Sequence, residues 1–197
     1  TYKGLHAAAH RGDLAAIQQL AVNKAALEAR DSAGRTPLHV ATFARQYKAV
    51  QALLQFGADP AALEQGRYDA VTIAAVADDE ETLRVLLAGG ASAKLTTSRY
   101  DGTALIAAAH LGHDGVVHQL IKAGAPLDHV NNLHWTAVIE AIVLGDGGAR
   151  HQATLKALLD ADASTQLSDR SGATPLQLAR ARGYSAMVQM LQAAGGR

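Results

Sequence analysis

The sequence predicts an all-α fold, a solenoid of short stacked helix-turn-helix units. Three features predict it. A motif returns about every 33 residues, threonine-proline pairs stand where helices would start, and glycines stand where helices would end. The composition agrees, because an alanine-rich chain with only 4% aromatic residues suits a core of small side chains in close layers.

The repeated motif is clearest at 34–41, GRTPLHVA, and at 172–179, GATPLQLA. Weaker copies of the motif lie between and before these two. In the six copies together, the position equivalent to Thr36 falls at 3, 36, 69, 103, 136 and 174, with spacings of 33, 33, 34, 33 and 38. This pattern resembles the ankyrin repeat, whose period is 33 and whose signature is T-P-L-H-x-A. The resemblance implies a single ankyrin repeat domain over 1–197, with repeats at approximately 1–33, 34–66, 67–97, 98–130, 131–168 and 169–197.

The residues at the predicted helix starts suit that position. Thr36 and Thr174 offer a hydroxyl to the first free N–H groups, and the proline that follows each one loses no hydrogen bond at the first helical position. A second, amphipathic helix is predicted in five repeats, at 48–56, 80–88, 114–123, 152–160 and 185–194.

Glycines follow three of these second helices. Gly57, Gly90 and Gly124 permit the left-handed conformation that closes a helix. The segments that connect one repeat with the next are expected to form the projecting β-turn fingers, among them 31–35, 64–68 and 131–135.

Several positions depart from the repeat. Asp69 replaces the capping threonine and still caps, whereas Lys3 cannot. Lys24 and Asp162 stand where a glycine normally closes the second helix. The spacing of 38 indicates an insertion at 145–150, which we expect to lengthen the turn between the two helices of the fifth repeat.

Charge and composition argue against several classes of function. Lysines plus arginines and aspartates plus glutamates number 18 each, whereas a nucleic-acid binder needs surplus positive charge. No apolar run approaches the roughly 18 residues that span a bilayer. The absence of cysteine excludes disulfides, zinc-thiolate sites and a thiol nucleophile.

Nine histidines raise the question of a metal site. His6 and His39 occupy the histidine of the signature, which in the family hydrogen-bonds to the backbone of neighbouring loops. His6 and His10 have a chelating spacing on one helix, but no HExxH motif or further ligand completes a site. No serine elbow or phosphate loop is present either, so we expect no catalytic residue, metal or cofactor.

The resemblance implies that a partner protein binds to the finger tips and to the exposed side of the first helices. The positions of this sequence that match are Tyr2, Arg35, Phe43, Tyr68, Val76, Arg99, Tyr100, His110, Leu111, Asn132, Leu133, Trp135, Val143, Leu144, Arg170 and Arg182. Tyrosine, tryptophan and arginine are enriched at interface hot spots. Two structural interpretations stay open: the aromatic residues pack on neighbouring fingers, and Phe43 lies in the core between first helices.

We therefore expect a non-enzymatic, monomeric module that binds, sequesters or inhibits a partner protein, without nucleic acid or membrane insertion. The alternatives are a metal or small-ligand binder that uses the histidine-rich edge and an accessory domain of a larger protein. The likeness is to stand-alone bacterial ankyrin proteins, some of which are exported, so it favours the periplasm slightly over the cytoplasm. Because the sequence starts at Thr1, we expect a start methionine to precede it.

Overall fold

The computed structural model describes residues 2–197, and within them the regular secondary structure consists of α-helices without a β-strand. The chain divides into two compact units. Unit 1 runs to Arg99, and unit 2 comprises Tyr100–Arg197. Of the helices in residues 2–197, none has the length and hydropathy that a membrane crossing requires. The all-α, repeat-based fold class is confirmed, and the assignment of all six repeats to one domain stays a prediction.

Unit 1 contains three helix pairs and one additional helical turn. Its first helices are α1 (Gly4–Arg11), α4 (Pro37–Phe43) and α6 (Ala70–Val76), its second helices are α2 (Leu14–Leu20), α5 (Tyr47–Gln55) and α7 (Glu80–Ala88), and the additional turn is α3 (Lys24–Leu27). First helices pack on first helices, and second helices pack on second helices. The core of unit 1 lies between these layers, where Ala41, Leu53 and Leu83 are fully buried.

Unit 2 repeats this arrangement. Its first helices are α8 (Ala104–Leu111), α10 (Ala137–Val143) and α12 (Pro175–Ala181), and its second helices are α9 (Asp114–Lys122), α11 (Ala149–Asp160) and α13 (Ser185–Ala193). The same layered packing holds, α8 on α10 on α12 and α9 on α11 on α13. Leu120, Ile142 and Leu155 are fully buried in its core.

The predicted caps are present. The Thr36 hydroxyl accepts the His39 N–H, and His39 Nδ1 in turn accepts the Thr36 N–H at 2.9 Å, which closes a capping box. Asp69 accepts the Thr72 N–H at 3.0 Å, and Lys3 makes no side-chain cap. These observations confirm that aspartate replaces threonine at the cap and that lysine does not.

The predicted fingers are closed by their own backbone. In each one, the first residue donates its N–H to the carbonyl of the last, as Asp31 to Arg35, Glu64 to Tyr68 and Asn131 to Trp135. Neighbouring fingers of one unit are also joined, since the Gln65 N–H donates to the Ala33 carbonyl at 3.1 Å. The backbone therefore holds each finger in place independently of its exposed side chains.

Two expectations need correction. Lys24 does not close a second helix: α2 ends at Leu20, and the Asn23 side chain caps the new turn α3, which Lys24 opens. The insertion at 145–150 lengthens more than a turn. Compared with the third repeat, two of its five extra residues lie in the turn before α11, and three extend α11 to 12 residues from the 9 of α7.

The other helix ends match the prediction closely. The predicted second helices agree with α5, α7, α9 and α13 to within one residue at each end. Gly57, Gly90 and Gly124 have φ values of 95°, 96° and 86°, as a left-handed helix end requires. Asp162 takes the same conformation with φ 69° in place of a glycine.

Candidate protein-binding site

The sixteen candidate positions divide between the two units, and none of them is buried. We call those of unit 1 its finger face: Tyr2, Arg35, Phe43, Tyr68, Val76 and Arg99. The finger face of unit 2 comprises Tyr100, His110, Leu111, Asn132, Leu133, Trp135, Val143, Leu144, Arg170 and Arg182. Phe43 is 45% exposed, which excludes the interpretation that it is a core residue.

Arg35 and Phe43 are in direct contact on unit 1. Arg35 lies at the end of a finger and Phe43 in the last turn of α4, and the guanidinium carbon is 4.1 Å from the centroid of the phenyl ring. A cation over an aromatic face at this distance is attracted by the quadrupole of the ring. The arginine side chain is therefore held in place by this contact.

The aromatic residue at the start of unit 1 packs on histidines. The Tyr2 ring lies nearly parallel to that of His6, with centroids 6.4 Å apart, and is 5.3 Å from that of His10. His6 Nε2 also donates to the Arg35 carbonyl at 2.8 Å, which joins α1 to the next finger.

The second signature histidine, His39, is held in the same way, since its Nε2 donates to the Ala62 carbonyl at 2.8 Å. Burial lowers the pKa of His39. The structural role expected for both signature histidines is confirmed.

Tyr68 packs partly on its own finger. Its backbone N–H donates to Glu64 Oε1 at 3.0 Å, and a Cβ added to Gly66 would lie 3.1 Å from the tyrosine ring. The ring is half-buried, so a face of it stays accessible. The alternative that finger aromatics pack on fingers thus describes one side of Tyr68, and the other side faces solvent.

In unit 2, hydrogen bonds brace the fingers that carry candidate residues. The Asn132 N–H donates to the Tyr100 carbonyl at 2.9 Å, and Arg170 Nη2 donates to the Asn132 carbonyl at 2.9 Å. The Trp135 N–H donates to the Asn131 carboxamide at 3.0 Å. Leu133, at the tip, is 42% exposed. A rigid finger thus presents an apolar side chain to solvent.

Glu140, a residue that the sequence analysis missed, is the most unusual group near this face. It occupies the x position of T-P-L-H-x-A, where Val40, Ile73 and Leu178 stand in other repeats. Its side chain is only 7% exposed, and Asn131 Nδ2 donates to Oε2 at 2.8 Å. Burial raises the pKa of Glu140 to about 7, against the lowering effect of the Asn131 bond. A charged residue at an apolar repeat position was the signal that could have revealed it.

His110 lies beside Glu140, with 3.7 Å between Nδ1 and Oε1. Burial, together with the neighbouring His151, lowers the pKa of His110. The pKa of the His110 imidazole is lowered, so at neutral pH His110 is uncharged in most molecules. The pKa of Glu140 is raised to about 7, so at neutral pH its carboxyl is protonated in about half of them. The contact is therefore mainly one between neutral groups and not a strong ion pair.

His151 and Tyr184, also missed, hold the insertion in place. His151 Nε2 donates to the His110 carbonyl at 2.9 Å, and the Tyr184 hydroxyl donates to the Gly145 carbonyl at 3.2 Å. Both bonds join residues about 40 positions apart, so no local sequence pattern shows them.

Metal binding gains no structural support: among residues 2–197, no three histidine, cysteine, aspartate or glutamate side chains are grouped as metal ligands.

Comparisons with known proteins agree with the architecture. The family model for ankyrin repeats (3 copies) matches residues 2–64 and 71–169. The putative ankyrin repeat protein YahD of Escherichia coli (strain K12) is 34% identical over 189 residues, which cover 95% of this chain and 94% of that relative.

Solved structures show the same likeness. An ankyrin repeat domain from Acinetobacter baumannii AYE superposes with a TM-score of 0.92 and 42% identity over 98% of each chain. A chain in the complex of the Bd0816 predatory endopeptidase from Bdellovibrio bacteriovorus with the immunity protein Bd3460 has a TM-score of 0.79 at 23% identity, which is a likeness of fold alone. The repeated motif, the capped helix pairs, the closed fingers and these matches together show that the chain belongs to the ankyrin repeat family.

Proposed function

We propose that this chain is a non-enzymatic binding module that sequesters, inhibits or docks one partner protein through its finger faces. Ankyrin repeats are protein-interaction modules, and two bacterial ankyrin repeat proteins match this chain over nearly their whole length. The chain in the complex of a predatory endopeptidase with an immunity protein indicates that this fold also occurs in complexes with other proteins. The equal numbers of positive and negative residues favour a protein partner over a nucleic acid.

The observation that carries the proposal is a recurrent exposed apolar side chain at the end of the first helix. Phe43 and Val76 end α4 and α6 in unit 1 and are 45% and 43% exposed. Leu111 and Leu144 stand at the ends of α8 and α10 in unit 2, at 39% and 38%. Single exposed apolar residues need no explanation, but here they recur at two adjacent repeat positions, that of Phe43 and Val76 and that of Leu111 and Leu144. Such a recurrence beside rigid fingers is typical of an interaction surface.

The test is affinity capture from a lysate of the source organism with the Tyr68→Ala, Tyr100→Ala, Trp135→Ala triple variant beside wild type. We expect wild type to retain one protein stoichiometrically. We expect the variant to bind it at least 100-fold more weakly, because truncating interface aromatics typically costs about 1–3 kcal/mol each. Titration calorimetry with the purified partner measures the loss.

The matched control is Tyr47→Ala, which removes an aromatic residue of similar exposure, 37% against 39% for Tyr100, from the second helix α5. It should leave the affinity unchanged. Circular dichroism must show that the triple variant is folded. Equal affinity of the folded triple variant and wild type would contradict binding through the finger faces.

A further inference from the structure

The guanidinium of Arg35 is placed in an unusual way. It is held against the Phe43 ring, and its Nε is buried without a hydrogen-bond acceptor anywhere in residues 2–197. Other arginines of unit 1 have oxygen partners: Arg11 and Arg84 contact Asp13 and Glu81, and Arg30 donates to the Gly34 carbonyl at 2.8 Å. A buried donor without an acceptor costs roughly 1–3 kcal/mol, a cost that the folded protein carries to keep the guanidinium against Phe43.

The surroundings of Arg35 are predominantly cationic. It lines an open depression together with Tyr2, Lys3, His6, Arg30 and Asp31. Asp31 is the one acidic lining residue among those that the structure describes. Its Oδ1 already accepts the N–H groups of Ala33 at 2.8 Å and of Arg35 at 2.9 Å. The finger therefore uses that carboxylate oxygen to shape its own turn.

The ionisation of Asp31 agrees with this arrangement. Burial by itself would raise the pKa of Asp31, but the two backbone N–H groups and the neighbouring His6 and Arg35 hold the pKa below its ordinary value. The carboxylate is thus stabilised as an anion within the finger. The positive charges of Lys3, Arg30 and Arg35 exceed the single negative charge of Asp31, and the depression as a whole favours an anion.

We propose that Arg35 and this depression bind an aspartate or glutamate side chain of the partner protein, with Phe43 packing against the apolar residues beside it. The inference rests on the proposed function and names the chemistry of its partner. A planar guanidinium offers two parallel N–H donors to a carboxylate, and its contact with Phe43 limits the side-chain freedom that binding would otherwise remove.

A carboxylate suits this surface better than a phosphate backbone does. Nucleic-acid binders use an extended run of cations, whereas here the cations cluster in one depression of a chain with zero net charge. The exposed ring of Phe43 next to Arg35 is also better matched by a polypeptide, which combines an acidic and an apolar side chain within a few residues.

The experiment selects peptides from a random 12-residue library displayed on phage, with the purified whole chain as the target, and compares wild type with Arg35→Gln. Glutamine keeps a polar, hydrogen-bonding side chain, although a shorter one, and removes the charge. We expect the wild-type binders to be enriched in one aspartate or glutamate near an apolar residue. Their dissociation constants, measured with synthetic peptides, should rise by about 10- to 100-fold on Arg35→Gln, as for a lost charge-assisted hydrogen-bond pair.

Arg84→Gln is the matched control, because it removes the same charge from an exposed arginine on the second helix α7, away from the finger face. A charge exchange gives a second readout. The Arg35→Glu variant should not bind the acidic peptide. It should bind a peptide in which the aspartate or glutamate is replaced by lysine. Circular dichroism checks that each variant is folded.

The outcomes separate the two proposals. Suppose that the selected peptides no longer bind the Tyr68→Ala or Trp135→Ala variant but bind the Arg35→Gln variant with wild-type affinity. This result would overturn the acidic-partner inference and leave the proposed function standing. Binding of an oligonucleotide probe that disappears with Arg35→Gln would overturn the inference in favour of a phosphate ligand. If no selected peptide depends on any finger-face residue, both proposals fail.

Discussion

At the scale of single residues, Glu140 carries the largest physical consequence. A carboxyl at an apolar position of a repeat is desolvated, and one hydrogen bond from Asn131 does not compensate fully, so its pKa rises to about 7. The folded state then holds the proton more tightly than the unfolded chain, in which a glutamate has its ordinary pKa near 4.5. Folding stability from this group is therefore greatest below pH 4.5 and decreases as the pH rises through 7.

We expect Glu140→Gln to stabilise the protein at pH 8 by about 2 kcal/mol and to change stability little at pH 4.5. Glutamine keeps the oxygen that accepts the Asn131 N–H and cannot ionise. Urea unfolding of wild type and variant from pH 4.5 to 8.5 measures the difference. Subtracting one series from the other removes the contributions of the remaining titrating groups.

Glu81→Gln serves as the control, because Glu81 is exposed on α7 and its contact with Arg84 is a surface ion pair. Such pairs contribute less than about 1 kcal/mol, so we expect Glu81→Gln to change the free energy of unfolding by no more than that across the same series. A Glu140→Gln variant that is less stable than wild type at pH 8 would show that the buried carboxylate is satisfied as an anion.

At the scale of elements, the insertion in the fifth repeat is a close-packed structure and not a loose loop. His151, in the added part of α11, packs over Gly112 and Gly145, and Gln152 Nε2 donates to the Gly147 carbonyl at 2.8 Å. A Cβ at Gly145 would lie 2.5 Å from the Ala141 carbonyl oxygen and 2.5 Å from the His151 ring. Backbone cannot move aside as a flexible side chain can, so this glycine is required sterically.

Gly145→Ala should therefore destabilise the chain by about 2 kcal/mol, within the range of overpacked sites. Gly148→Ala is the matched substitution in the same insertion, because the nearest atoms to its Cβ would be those of the Asp146 carboxylate, at 2.9 Å, and not backbone. That side chain is exposed, but its Oδ1 accepts the Gly148 N–H at 2.8 Å and lies 3.2 Å from His151 Nδ1. Moving it would weaken both contacts, so we expect a smaller loss of stability, about 1 kcal/mol. The thermal or urea unfolding midpoints of the two variants measure their losses of stability. Equal losses for Gly145→Ala and Gly148→Ala would refute the steric explanation.

At the scale of the whole molecule, a repeat protein is stabilised by contacts between neighbouring repeats. Helix α11 packs on both α9 and α13, whereas the last second helix, α13, packs on α11 and on its own partner α12. Leu155 and Leu191 are both fully buried, on α11 and α13 respectively. Identical truncations at these positions thus compare a second helix packed between two others with the last second helix that the structure describes.

We expect Leu155→Ala to cost about 3 kcal/mol of global stability, as a buried leucine truncation does. Leu191→Ala should mainly open the last repeat, with a smaller shift of the global midpoint and a loss of amide protection confined to α12 and α13. Hydrogen exchange with mass spectrometry, beside urea unfolding, resolves the two effects. Equal loss of protection throughout unit 2 in both variants would mean that the unit unfolds in a single cooperative step.

The sequence by itself determined the repeat, the helix pairs, their caps and the fingers. These features follow from contacts between residues a few positions apart, such as Thr36 with His39 and Asp69 with Thr72, and from glycines at helix ends. Local chemistry of this kind is encoded in the order of the residues. Lys24 was misassigned because the Asn23 cap of a separate turn competes with the expected helix end.

Only the tertiary structure decided which side chains meet across repeats. The bonds from His6 to Arg35 and from His151 to His110 span 29 and 41 positions, and no periodic pattern distinguishes them. The pairing of Arg35 with Phe43, the carboxylate oxygen of Asp31 used within its own finger, and the burial of Glu140 beside His110 are likewise products of packing. Because desolvation and charge depend on all neighbours in space, the chemistry of the finger faces was settled by the folded chain and not by its local sequence.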